Sequence, residues 1–299
     1  MKMIQLLLMI SKSLSKRKWD KKVLILGGGY IGNYLQEYLK DYYSCNLVRK
    51  SDLNYHDHRV LTRYLLNNNI GLVINAAGFT GRPNVDEGEV KKSECWDLNV
   101  AIPLNLNRSC NNIGVKYFHI SSGCIYDGYS KHFSEQDEPN FGLFDRSSFY
   151  SKSKHAFELM SKGMSNKIIR IRMPITPDDN PRNYLNKILK YDNLIEFKNS
   201  KTYIPDLCIF IDNLIQYDNL NPTLGQDIYN VVNPEPLWTS DLCRLMGSFG
   251  VCNNKWSFVD IKDLDIKSPR SNCVLSSEKS NKVYIMRTES EIIKEVYER

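Results

Sequence analysis

Val23-Leu-Ile-Leu-Gly-Gly-Gly-Tyr-Ile-Gly32 sets four apolar residues directly before a glycine-rich turn. A short all-apolar run is the pattern of a strand buried on both faces. The turn satisfies G-x-G-x-x-G and leads into a helical stretch over 33–40. Glycines there let the backbone approach a pyrophosphate resting on the helix N-terminus. Gly27, Gly29, Tyr30, Ile31 and Gly32 are therefore candidates for a dinucleotide site, against the plainer reading of a structural turn.

The same rhythm continues downstream. Apolar runs at 45–48, 72–75, 115–120 and 167–173 alternate with helical spacing at 96–110 and from Tyr150 onward. Such alternation predicts an α/β fold with a Rossmann-type doubly wound parallel sheet over 21–173. A long polar loop is expected over 127–148. After Pro174, prolines at 177, 181, 205, 222, 234, 236 and 269 break the chain into shorter segments. They predict a smaller C-terminal substrate lobe over 174–299, with segments returning to the sheet.

Open parallel sheets bind ligands outside the carboxyl ends of their strands. Asn75, Ala76, Ala77 and Met173 lie at such ends and join the cofactor set. No acid closes the second strand, where it would hold a ribose 2′-hydroxyl. Arg49 and Lys50 stand there instead and favour a 2′-phosphate, hence NADPH, with NADH as the alternative. A solvated basic turn is the bland reading of the same pair. Asp52 is a candidate adenine contact.

The formal charge of +6 is concentrated at one end. Residues 1–22 hold seven basic residues and one acid, and the remainder balances 33 basic against 33 acidic. The bulk of the chain therefore carries no electrostatic footprint for nucleic acid. The apolar run 3–10 is too short to span a membrane, and no small-residue cleavage site follows it. Residues 1–20 read as a basic, disordered extension, with weak membrane-surface contact as the lesser alternative. Eight cysteines form no C-x-x-C pair and five histidines no H-E-x-x-H pattern, so neither a metal site nor a disulfide framework is expected. Reduced thiols point to the cytoplasm.

The chemistry-bearing stretch is Tyr150-Ser-Lys-Ser-Lys154. Tyr and Lys four apart share one helix face, and a nearby ammonium favours the phenolate. A phenol tuned in this way transfers protons near neutral pH. Ser122 and Cys124, at i and i+2 past a strand end, leave on the same side. A hydroxyl there can hold a carbonyl oxygen. A thiol there can take a proton from the carbon beside it, although a free cysteine is more often a small buried hydrophobe. By spacing alone Lys187 reads as a surface lysine, and Arg82 and Arg270 as loop charges suited to a diphosphate.

Several stretches carry a family resemblance. They are Asn75-Ala-Ala-Gly-Phe-Thr-Gly-Arg-Pro-Asn-Val-Asp86, Gly123-Cys-Ile125, Pro139-Asn-Phe141, Phe149-Tyr-Ser-Lys-Ser-Lys154, Arg172-Met-Pro-Ile175, Asn180-Pro-Arg-Asn183 and Pro269-Arg-Ser-Asn272. In order from about residue 22, the chain resembles extended short-chain dehydrogenase/reductases of the dTDP-4-dehydrorhamnose reductase branch. Within that branch it is most similar to the UDP-4-keto-6-deoxyglucose 3,5-epimerase/4-reductases that form the C-terminal half of plant rhamnose synthases. The resemblance implies Ser122, Tyr150 and Lys154 as a reductive triad and Cys124 with Lys187 as an epimerisation acid/base pair. It also implies Thr80, Gly81, Arg82, Asn183, Arg270 and Asn272 as substrate contacts, a nucleotide-sugar substrate and a homodimer. The glycine turn is one residue shorter than the family's usual form, Ser122 replaces the plant Thr, and residues 1–20 have no counterpart. A reductase without epimerase activity is the nearest competing expectation. A non-catalytic regulatory subunit and an accessory protein acting through the basic tail are more distant ones.

Overall fold

The structure, a computed structural model, describes residues 19–82, 84–220, 224–251, 256–264, 266 and 268–298. Most of the N-terminal extension lies outside the described residues.

Strands β1 (Lys22–Leu26), β2 (Cys45–Val48), β3 (Ile70–Asn75) and β4 (Lys116–Ser122) belong to one sheet with β6 (Asn166–Ile171) and β10 (Gln226–Asn230). All six run parallel, in the order β10-β6-β4-β3-β1-β2. The chain moves outward from β1 to β2, then crosses to β3 on the other side. The switch point therefore lies between β1 and β3, where a crevice opens. Register brings Leu26 level with Asn75 and Ser122 level with Ile171, so the strand ends named from the sequence converge on one rim.

Alternation along each strand divides the core between two faces. Val23, Ile25, Leu72, Ile74, Phe118 and Ile169 pack against α1 (Tyr30–Leu39) and α8 (Ile204–Leu220). Leu24, Leu26, Val73, Tyr117 and Ile168 pack on the other side, against α2 (His58–Asn67), α5 (Ile102–Asn112) and α6 (Phe149–Met160). Before α5 come two short helices, α3 (Glu87–Val90) and α4 (Lys92–Trp96), and a π-helical turn, Asp97–Ala101. Burying a leucine- or isoleucine-sized side chain contributes ~1.5–3 kcal/mol, so this two-sided core is the main source of stability.

Beyond Pro174 a second core gathers Ile175, Leu185, Ile188, Leu242, Met246 and Ile292. It is built from α7 (Tyr184–Lys190), α9 (Thr239–Ser248) and α10 (Glu289–Tyr297). Two short parallel pairs lie beyond Pro174, β7 (Pro174–Ile175) with β9 (Thr202–Tyr203) and β8 (Asn193–Ile195) with β11 (Ser257–Val259). The chain from α8 to β10 returns to the main sheet. The polar stretch expected to be loop contains β5 (Gly128–Phe133), which pairs with β12 (Cys273–Leu275). Four of its six residues are exposed, so no apolar alternation marks it. Among the described residues no helix is long and apolar enough to cross a membrane.

A buried ion pair fixes α6 against the sheet. Arg170 on β6 donates from Nε and Nη2 to Glu158 Oε2, at 3.0 and 2.6 Å. The Ser121 hydroxyl donates to Glu158 Oε1 (2.6 Å), and Arg170 Nη1 to the Tyr126 hydroxyl (3.0 Å). Replacing Glu158 by Ala strands a buried guanidinium and is expected to cost about 3–5 kcal/mol. Denaturant unfolding measures this, and a loss under ~1 kcal/mol, the scale of an exposed pair, would contradict it.

Candidate active site

The glycine turn is built by backbone touching backbone. Gly27 sits at φ +102°, and a Cβ there would lie 2.6 Å from the Ala77 nitrogen. At Gly32 a Cβ would lie 1.9 Å from the Gly27 carbonyl oxygen. The turn after β1 thus abuts the turn after β3. Gly29 caps α1 with no side-chain acceptor, and the first turn holds no acid. The positive helix end is left for a ligand, and space is open where a Gly29 Cβ would project. The Arg49 side chain lies over Gly28, its Nε 2.6 Å from where a Cβ would stand. An uncapped helix end, an open cradle and an adjacent guanidinium fit a dinucleotide diphosphate with a 2′-phosphate.

Other residues of the cofactor set act through the turns around this cradle. Asn75 is buried. Its Oδ1 accepts from the Ala77 N–H (3.1 Å), and its Nδ2 meets the Tyr117 hydroxyl and His119 Nδ1. It shapes the Ala76–Ala77 turn, and its amide is already occupied by protein. Asp52 accepts from the Arg49 N–H and the Ser51 hydroxyl, both at 2.9 Å, and those bonds hold its carboxyl below the ordinary value. It closes the basic turn around Arg49 and Lys50. The Tyr30 hydroxyl reaches Thr176 Oγ1 (2.6 Å), tying α1 to the loop beyond β6. Ile31 packs on the core. Met173 has φ +32°, a strained conformation for a side-chain-bearing residue, at the rim of β6.

Ser122, Cys124, Tyr150 and Lys154 come together. Ser148 caps α6 by accepting from the Ser151 N–H (3.1 Å), which sets Tyr150 in the first turn. Ser122 lies beside the Tyr150 phenol, and its hydroxyl accepts from the Cys124 N–H (3.2 Å). Tyr150 and Lys154 are both buried, with Lys154 Nζ 5.9 Å from the phenol ring centre. Burial pushes the phenol well up, the Cys124 thiol adds to the rise, and the Ser122 hydroxyl opposes it. Burial also pulls Lys154 down to about 8. This corrects the expectation that the ammonium draws the phenol downward. Burial is the largest cause of both shifts and moves each group toward its neutral form. The phenol is therefore protonated near neutral pH, poised to donate.

Two residues beside this cluster carry no role in the sequence reading. Asn99, in the π-helical turn, accepts from the Phe79 N–H (2.9 Å) and donates to the Phe79 carbonyl and Ser153 Oγ, both at 3.0 Å. It pins the segment after β3 to the helix bearing Lys154. π-Turns often mark functional sites, but helical spacing alone conceals them. Arg172 is buried, and its Nη1 donates to Cys124 Sγ at 2.7 Å. Its stretch, Arg-Met-Pro-Ile, is visible in the sequence, but the bond between residues 48 positions apart is not.

The predicted substrate residues divide. Lys187 sits half-buried on α7, and burial followed by Arg182 pulls its ammonium downward. Asn183 is held within the fold. It caps α7, accepting from Leu185 N–H, and its Nδ2 donates to the Thr176 and Asp178 carbonyls, so both amide hydrogens are used. Arg270 is not a free cation either, because it donates to both oxygens of Asp86, at 2.6 and 2.9 Å. Thr80 accepts from Arg182 Nη1 (2.6 Å), a partner unmarked in the sequence. In the Gly81–Arg82 turn the Arg82 N–H donates to Glu87 Oε2 (2.6 Å), and the side chain is exposed. Asn272 is buried with Oδ1 unpaired. With Arg270, Asp127, Tyr129, Phe197 and Ile261 it lines a cavity of about 500 Å³.

Comparison with known proteins agrees with this geometry. The model of the RmlD substrate binding domain matches residues 21–197. A bifunctional dTDP-4-dehydrorhamnose 3,5-epimerase/dTDP-4-dehydrorhamnose reductase of Arabidopsis thaliana is 34% identical over 239 residues, covering 76% of each chain. A trifunctional UDP-glucose 4,6-dehydratase/UDP-4-keto-6-deoxy-D-glucose 3,5-epimerase/UDP-4-keto-L-rhamnose-reductase of the same plant is 33% identical over 76% of this chain, and the match spans 34% of that longer protein. Among solved structures, the L780 UDP-rhamnose synthase of Acanthamoeba polyphaga mimivirus superposes with a TM-score of 0.79 at 26% identity, covering 92% of this chain and 98% of that one. A dTDP-4-dehydrorhamnose reductase of Bacillus anthracis in complex with NADP shares the fold, with a TM-score of 0.78 at 19% identity over 93% of this chain and 99% of that one. By motif, fold and relatives alike, the chain belongs to the RmlD substrate-binding domain family, in the dTDP-4-dehydrorhamnose reductase branch of the extended short-chain dehydrogenase/reductases.

Proposed function

We propose that this protein converts UDP-4-keto-6-deoxyglucose to UDP-L-rhamnose, epimerising C3 and C5 and then reducing C4 with NADPH. The observation that supports it best is the Ser122-centred cluster, in which one hydroxyl lies beside the Tyr150 phenol and accepts from the backbone of Cys124. A carbonyl held there has a proton donor and a thiol beside it.

The C4 ketone acidifies the neighbouring C3–H and C5–H bonds. Ser122 and Tyr150 hydrogen-bond the ketone oxygen and stabilise the charge that develops on it. Cys124 takes the proton, and Lys187, whose ammonium burial has already weakened, returns one from the opposite face. The Gly27–Gly32 turn, Arg49 and Lys154 would hold NADPH, which when bound would supply the hydride for C4. Tyr150, protonated by virtue of its burial, gives the oxygen its proton. The cavity beside Arg270 and Asn272 offers Tyr129 and Phe197 to a base and the unpaired Asn272 oxygen to a base N–H. A homodimer through α4, α5 and α6 is part of this reading, because Trp96, Leu159 and Met160 stay exposed there.

A reductase acting on sugar epimerised elsewhere is the second reading. In it the Ser122, Tyr150 and Lys154 cluster acts alone, and Cys124 and Lys187 take no part. Incubation with UDP-4-keto-6-deoxyglucose and each dinucleotide, followed by NMR of the sugar, decides between them. UDP-L-rhamnose supports the full sequence, and return of the 4-keto sugar unchanged rejects it.

Tyr150→Phe is expected to lower NADPH oxidation by about 10²-fold or more, the effect of removing a general acid. Near-normal turnover would remove Tyr150 from the role. Cys124→Ala should abolish deuterium uptake at C3 and C5 in heavy water while NADPH oxidation with pre-epimerised substrate continues. Undiminished uptake rejects the thiol as base. Lys154 loses its charge as pH rises through about 8, so kcat/KM for reduction should fall on that alkaline side. Lys154→Arg should carry that limb to higher pH, and a limb that stays in place would assign it to another group.

A further inference from the structure

Five lysines and arginines are buried among the described residues: Lys154, Lys167, Arg170, Arg172 and Lys201. Three have a carboxylate within salt-bridge distance. Lys167 pairs with Asp218 and Asp227, Arg170 with Glu158, and Lys201 with Glu289. The two that lack one, Lys154 and Arg172, both adjoin Cys124. A buried cation without a counter-charge is costly, and a guanidinium, unlike an ammonium, cannot shed its proton to escape that cost.

Every hydrogen bond of the Arg172 side chain goes to a neutral or sulfur acceptor. Nη1 donates to Cys124 Sγ (2.7 Å) and Ser271 Oγ (3.3 Å). Nη2 donates to Asn199 Oδ1 and the Ser271 carbonyl (3.2 Å). Nε has no partner. The side chain is wedged under Gly123, where a Cβ would meet Arg172 Cδ at 2.9 Å and Leu275 Cδ1 at 2.5 Å. The guanidinium is therefore fixed with one N–H on the sulfur and no carboxylate to neutralise it.

We infer that Arg172 is a positioning residue for Cys124, its guanidinium orienting the sulfur and favouring the thiolate form that would abstract a proton. This deepens the epimerase reading and rests on it for its purpose. Arginine suits the task because it stays charged when buried and grips from a rigid fork. Asn199 orients that fork without adding negative charge. The other titratable groups interacting with Cys124 are Tyr150 and Lys154 from α6 and Cys273 from β12. Of these only Lys154 is cationic, and it has no hydrogen bond to the sulfur.

The test is the pH dependence of Cys124 alkylation by iodoacetamide in the full-length protein, read on the Cys124 peptide by mass spectrometry. Arg172→Met should raise the midpoint by about 1–3 pH units, the effect of losing an adjacent opposite charge. Arg172→Lys should recover part of that shift. Asn199→Asp, nearly isosteric, gives the guanidinium a competing carboxylate and should also raise the midpoint; it decides alone if Arg172→Met does not fold. A midpoint unmoved in the folded variants overturns the assignment. Deuterium uptake by the 4-keto sugar is measured in parallel on the unmodified protein. Shifted alkylation without uptake would reject the epimerase reading and leave the Arg172–Cys124 pairing standing. Uptake with unmoved alkylation would reject Arg172 alone.

Discussion

The ion pair between Glu158 and Arg170 joins the helix that carries Tyr150 and Lys154 to the strand beside it. Both partners are buried, so neither tolerates loss of the other. Ser121, one residue before Ser122, donates to the same carboxylate. The pair therefore sets the height of Tyr150 and Lys154 relative to the end of β4. Hydrogen-bonding distances at an active site tolerate errors of about 0.5 Å, and only rigid elements hold them that closely.

The same rim is reinforced from the cofactor side. Gly27 and Ala77 bring the turns after β1 and β3 into backbone contact, and Asn75 holds the second turn in shape. Asn99 then fastens the segment following that turn to Ser153 on α6. A dinucleotide seated on α1 and a carbonyl seated on Ser122 thus refer to one frame. Polar groups buried in such a frame cost free energy unless all are paired, and nearly all of these are.

Electrostatically the site departs from its surroundings. Elsewhere among the described residues each buried lysine or arginine has a carboxylate. Around Cys124 and Tyr150 two cations are kept without one. Desolvation raises the phenol and lowers the ammonium, so the resting crevice holds a proton ready to give. That balance suits chemistry in which negative charge appears on a substrate oxygen and then disappears.

Much of this was legible in the residues themselves. Apolar runs of four to six residues announce buried parallel strands, because such strands have no solvent face to leave a polar alternation. Gly27–Gly32 and the Tyr150/Lys154 pair are local patterns, and local geometry follows from local spacing. The π-helical turn at Asn99, the polar strand β5 and the bonds of Arg172, Arg182 and Arg270 were not legible. Each depends on partners dozens to nearly two hundred positions away, and a loop arginine looks the same whether it meets a carboxylate, a thiol or water. The sequence by itself determined the sheet, the nucleotide turn and the candidates for acid–base groups. Only tertiary packing decided which charges are compensated and which way burial moves them, because desolvation is a property of everything around a group and not of its neighbours in the chain.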